Sequence, residues 1–107
     1  MKIVLRIDGE DKTFTNDFVS AYDVRKAAEI NRGILNGELD EYNVEEKIID
    51  FVVNLFGNRF TTEEALKGTR GEDFVSVFIG IYRHVLNLGT ESKGGNDNTE
   101  TNDESGK

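Results

Sequence analysis

Two segments of this chain are too apolar around their circumference to be ordinary surface helices. Between about residues 42 and 56, Val44, Ile48, Phe51 and Leu55 fall on one helical stripe, and Ile49, Val52, Val53 and Phe56 fall on the next. Placed at roughly 100° per residue, the two stripes cover about 200°, whereas a helix resting on a core needs a stripe of only ~100°. Glu46, Lys47, Asp50 and Asn54 remain for water. The pattern recurs between about 71 and 88, where Phe74, Phe78, Ile81, Val85 and Leu88 form one stripe and Val75, Ile79, Tyr82 and Leu86 the other. Such helices are either central, with neighbours on two sides, or they keep part of a face open. Open apolar patches above a few hundred Å² mark interaction surfaces. Gly80, inside the last helix, costs about 1 kcal/mol relative to Ala. It marks either a close helix approach or a position free to drift.

The rest of the chain supplies the neighbours. Ile3, Leu5 and Ile7 alternate with Lys2, Arg6 and Asp8, the signature of a half-buried strand. Asp8-Gly9-Glu10-Asp11 is turn chemistry, and Lys12–Thr15 returns as a second strand, with Phe14 and Phe18 as expected inward anchors. Ser20 and Asp23 suit the start of a helix. That helix is expected over 20–34, with Asn36-Gly37 as its stop. The apolar second helix is expected over 42–56, followed by Gly57-Asn58. Thr61-Thr62-Glu63-Glu64 reads as a capping box for a short helix over 62–67 closed by Gly68, and Thr69-Arg70-Gly71-Glu72 repeats the pattern before the last helix, over 71–88. After Gly89 the residues are only Thr, Glu, Ser, Lys, Gly, Asn and Asp. Such a segment cannot bury enough apolar surface to offset its chain entropy. The expected fold is α+β and mainly α: an N-terminal β-hairpin over 2–15 and three to four helices in one domain, 1–89, then a disordered acidic tail, 90–107.

Composition narrows the function. The 107 residues carry a formal net charge of −8, which repels phosphate backbones and anionic membranes, so neither nucleic acid nor membrane is an expected partner. The first residues lack the apolar h-region of a signal peptide, and no run approaches the roughly 18 apolar residues of a membrane span. A cytoplasmic location is therefore expected.

Catalytic chemistry has little to work with. Cys is absent, which excludes disulfides, thiolate ligands and Cys nucleophiles. His84 is the only His, with no carboxylate spacing around it that builds a metal site, and it reads as a helical surface residue. Asp8–Asp11 lacks the twelve-residue calcium-loop pattern. Glu45-Glu46 lies at the polar face of the second helix and Glu63-Glu64 in the first turn of the short one, so neither pair converges on a cleft. Gly68-x-x-Gly71 is not followed by the Gly-Lys-Ser/Thr of a phosphate loop. No enzymatic activity, cofactor or metal is expected. The expected partner-binding residues lie on the wide faces: Val53, Phe56, Phe60, Val75, Ile79, Tyr82 and Leu86.

The order of segments resembles the tail assembly chaperones of long-tailed bacteriophages and prophages. The resemblance includes the hairpin and the helix Ser20–Ile30. It is most specific in the stretch from Ile49-Asp50-Phe51-Val52-Val53-Asn54-Leu55-Phe56-Gly57-Asn58-Arg59-Phe60-Thr61-Thr62 to Gly68. In that family an apolar helix and turn of this kind precede a short acidic helix ending in Gly. The resemblance implies a non-catalytic protein that binds the tape measure protein in the host bacterial cytoplasm, keeps its apolar helices soluble during tail assembly, and is absent from the mature virion. It further implies a longer frameshifted product of the same gene, whose extension contacts the tail tube protein. Open apolar faces would also allow a homo-oligomer, and the short helix 61–68 is a candidate flap over them. The alternative is a structural tail component, such as a tail completion or connector protein.

Overall fold

The computed structural model describes residues 1–94. Strands β1 (Lys2–Ile7) and β2 (Glu10–Thr15) form an antiparallel hairpin with Ile3 opposite Phe14 and Leu5 opposite Lys12. Asp8 and Gly9 both take positive φ, 55° and 81°, the pair of left-handed residues that a tight two-residue hairpin turn demands. Helices α1 (Ala21–Leu35), α2 (Glu41–Leu55) and α3 (Thr62–Lys67) follow. A 3₁₀ turn (Gly71–Asp73) and a π-helical segment (Val75–Ile79) then lead into α4 (Gly80–Gly94). The expected architecture of a hairpin followed by helices is present.

Local chemistry explains most of the boundaries. Ser20 and Asp23 form a reciprocal capping box at the start of α1, as do Thr61 and Glu64 at the start of α3, and Asp40 caps α2. Gly57 and Asn58, with φ of 77° and 58°, turn the chain sharply after α2. The repeat of the capping pattern at Thr69 does not operate as expected. The Thr69 hydroxyl donates to the Ala65 carbonyl at 2.9 Å, so it closes the end of α3 and leaves the following turn with no side-chain cap. The last helix is accordingly irregular at its start. The Gly80 N–H reaches back to the Val75 carbonyl, an i→i−5 bond. It then continues to Gly94, past the stop expected near Gly89; of the tail expected over 90–107, residues 95–107 lie outside the described residues.

Contacts fix the packing order. The short link between α1 and α2 makes them antiparallel neighbours. Phe74 and Tyr42 line one hollow near the start of α2, whereas Tyr82 meets Phe51 edge-on, with ring centroids 6.2 Å apart, further along it. The last helix therefore runs parallel to α2 and antiparallel to α1. Between them α3 travels back along α2. Its Thr62 hydroxyl donates to Asp50 at 3.1 Å, and its Leu66 lies near the start of α2. The hairpin covers another side of the core with Ile3 and Leu5. Phe14 meets Phe60 at a tilt, with ring centroids 4.8 Å apart, and the Phe60 ring lies 6.0 Å from that of Phe56. Phe18, expected beside Phe14, is instead 79% exposed. Asn16 is the cause: its Nδ2 donates to the Leu55 carbonyl at 2.6 Å while its Oδ1 accepts from the Phe18 N–H at 2.7 Å, turning the chain outward.

Three glycines give different expectations. A Cβ on Gly68 would lie 2.8 Å from the Glu64 carbonyl oxygen and 2.9 Å from that of Arg6, both backbone atoms. The Arg6 N–H also donates to the Gly68 carbonyl at 2.9 Å, clamping β1 to the end of α3. A Cβ on Gly89 would meet only the Val24 side chain, at 2.7 Å. A Cβ on Gly80 meets nothing within 4 Å, so this glycine marks no close approach. Gly68→Ala should lower stability by about 1–3 kcal/mol. Gly80→Ala should raise it by up to about 1 kcal/mol, and Gly89→Ala should fall between them. Thermal unfolding of the three variants checks the order; a Gly68→Ala protein as stable as the parent would refute the backbone clamp.

Candidate functional site

The helix faces singled out by their width are mostly spent on the core. Val53, Phe56, Phe60 and Tyr82 are buried. Ile79 and Leu86 are half-buried at its margin. Of the seven expected partner-binding residues only Val75 stands in water, 64% exposed. In this conformation the first four offer a partner no surface. For α2 the reason is that both stripes are covered: Phe51 faces Tyr82 of α4, while Phe56 meets Phe60 and, through it, the hairpin. For the last helix the reason is the π-helical segment. Its wider turn advances less than ~100° per residue, so Val75 falls out of line with Ile79, Tyr82 and Leu86.

The apolar surface that does remain open gathers elsewhere. Tyr42 is 72% exposed and Leu66 45% exposed. With Ile49 and Phe74 they line a cleft of about 500 Å³, bounded by the first half of α2, by α3 and by the Thr69–Phe74 turn. Glu45 and Glu46 stand on its α2 bank and Arg70 on the other. None of these three makes an ion pair among the described residues. Because α1 runs antiparallel to α2, the exposed Leu35 and Ile34 at the end of α1 belong to the same end of the bundle as Tyr42. A second hollow, of about 680 Å³, lies between α1 and α2 and is edged by Lys26, Glu29, Glu38, Lys47 and Asp50. Phe18 and Tyr22 form a separate exposed pair where α1 begins.

Sequence reasoning passed over Tyr42 and Leu66, although signals were there. Tyr42 is seven residues before Ile49 and so continues the second stripe of α2 to its first turn. In the short helix, Ala65 and Leu66 are adjacent, and a helix that lies against the core along one side buries only one of them. Ala65 does, fully buried, and Leu66 is left outside.

Charge and titration add no catalytic feature. The Glu63–Lys67 pair of α3, 2.8 Å apart, holds the carboxyl below and the amine above their usual ranges through a mutual hydrogen bond, on the open surface. Burial pushes the Tyr82 phenol up. His84 is exposed. Among the described residues no group of three or more His, Cys, Asp or Glu side chains could hold a metal, and no helix is long and apolar enough to cross a membrane.

A profile of phage tail chaperone proteins matches residues 1–103, which takes in the hairpin and all four helices. The chain belongs to the phage tail chaperone protein family. No curated protein and no solved structure matches it. Of the two hollows described, the cleft at the start of α2 has the more apolar exposed lining, whereas the one between α1 and α2 is edged by charged groups.

The burial of Tyr82 carries a prediction. Its hydroxyl is enclosed without a hydrogen-bond partner, and an unsatisfied buried polar group costs about 1–3 kcal/mol. Tyr82→Phe keeps the edge-on contact with Phe51 and removes that cost. The variant should be at least as stable as the parent, by up to about 1 kcal/mol in urea unfolding; a clear loss would mean that the hydroxyl is bonded.

Proposed function

We propose that this tail chaperone binds the tape measure protein in the host cytoplasm, keeps its apolar helices soluble until the tail tube assembles around them, and leaves before the virion matures. No step of this role is catalytic. Family membership over nearly the whole chain is the observation that carries the reading. The open apolar cleft supports it, because a holder of helical clients needs apolar surface that its own fold leaves uncovered. The net charge of −8 supports it too, since like-charged copies repel and the exposed patch is kept from self-aggregation. A longer frameshifted form of the same protein, bridging to the tail tube protein, is the further partner of this scheme.

Co-expression provides the test. With this chain present, tape measure fragments that are otherwise insoluble should move to the soluble fraction and co-purify with it. Purified virions should lack the chain by mass spectrometry. Insoluble fragments despite co-expression, together with the chain as a stoichiometric part of the particle, would overturn the reading and favour a structural tail component.

A further inference from the structure

We infer that the cleft between α2, α3 and the Thr69–Phe74 turn receives an amphipathic helix whose apolar stripe is bordered by Lys or Arg. In the proposed function, on which this inference rests, that helix is a segment of the tape measure protein.

The walls select a helix over an extended strand. They are themselves helices and a short 3₁₀ turn, so they present side chains and no strand edge with which an extended segment could pair. A strand entering here would lose its backbone hydrogen bonds to water, whereas a helix brings its own. The length also fits. Tyr42 and Ile49 are seven residues apart on α2, or about 10 Å at ~1.5 Å per residue. That is the span of anchors at i, i+3 or i+4, and i+7 on a docking helix. The volume of about 500 Å³ is in the range of pockets that bury side-chain anchors.

The charges select the border. Glu45 and Glu46 sit on the rim with no cation paired to them among the described residues. A Lys or Arg flanking the docked stripe would meet them at the edge of an apolar, partly dry surface, where a charge-assisted pair is stronger than in open water. Arg70, on the far bank, sets a polarity across the cleft and so a preferred orientation for the helix.

A second copy of this chain is a poor occupant. Two of its exposed apolar side chains, Phe18 and Tyr22, stand beside acids, Asp17 and Asp23. Inserting either would bring acids against Glu45 and Glu46, between two molecules of net charge −8.

The full chain, labelled with ¹⁵N, is titrated with roughly 25-residue peptides tiling the tape measure protein, a length at which isolated helices begin to hold, and affinities are measured by calorimetry. Binders should carry the i, i+3 or i+4, i+7 apolar pattern with basic flanks, and shift amides over 42–49 and 62–74. Tyr42→Lys with Leu66→Lys should weaken binding about tenfold or more without lowering the melting temperature, since both residues are exposed. Glu45→Gln with Glu46→Gln should weaken it about threefold to tenfold and flatten its salt dependence. Phe18→Lys with Tyr22→Lys should leave affinity unchanged. Peptide binding that the cleft variants leave intact would overturn this inference while sparing the proposed function. Failure of every peptide and of the co-expressed tape measure protein would overturn both. A concentration-dependent dimer abolished by the cleft variants would assign the cleft to a second copy and overturn the inference.

Discussion

The burial of α2 on both of its apolar sides is the constraint from which the rest of the fold follows. A helix with one apolar stripe can lie on a core; one with two adjoining stripes must be enclosed. Ile48, Phe51 and Leu55, and equally Ile49, Val52, Val53 and Phe56, are all removed from water. Enclosing them takes α1 and the last helix on one side, and α3 with the hairpin on the other. The connection after α2 serves this requirement. Gly57 and Asn58 reverse the chain at once, Phe60 folds back on Phe56, and α3 returns along α2 so that the last helix can start beside the beginning of α2. Arg59 secures the corner: its Nε donates to the Phe56 carbonyl at 2.8 Å, its Nη2 donates to the Thr15 carbonyl, and its guanidinium lies over the Phe14 ring. The hairpin's last residues, α2 and the turn are thereby joined at one point.

The parts of this arrangement legible in the sequence are those set by short-range chemistry. The capping boxes at Ser20 and Thr61, the Asp8-Gly9 turn and the limits of α3 depend on residues within a few positions of each other, and they fall where the sequence places them. What escaped depends on competition between elements. Thr69 could cap forward or close backward, and only its position beside the Ala65 carbonyl decides. Phe18 could pack inward until Asn16 commits its side chain to Leu55, thirty-nine residues away. A uniform turn angle does not hold through the start of the last helix, where the π-helical segment shifts Val75 out of line with the other expected partner-binding residues. The wide apolar faces leave two readings open, internal neighbours or an uncovered face, and for α2 the neighbours lie inside the same chain.

Two terms therefore act on different parts of the molecule. The core takes almost all of the large apolar side chains of α2 and, from the last helix, Phe78, Tyr82 and Val85, so the fold does not wait for a client to cover them. The cleft keeps a small remainder: Tyr42, Leu66 and the edges of Ile49 and Phe74. Clasping α3 is what keeps that remainder open. It is too short to persist alone, and it holds its place through the Thr62–Asp50 bond, the buried Ala65 and the Arg6–Gly68 backbone bond. Tied at three points, it is a wall, not a loose flap over the apolar faces.

That division has a consequence for affinity. A surface with few apolar anchors and two unpaired carboxylates does not hold a client tightly through area alone. If the proposed cleft holds the client, its discrimination comes from the match of anchor spacing and border charge, with a salt-sensitive part of the binding at Glu45 and Glu46. A client much longer than the cleft can then be covered by many copies, each on a short segment, with every contact individually weak. Removal of the copies by a growing tube would require breaking these contacts one at a time instead of all together. On this argument the small size of the open surface is what makes holding and release compatible: widening the cleft would strengthen each contact and make each copy slower to leave.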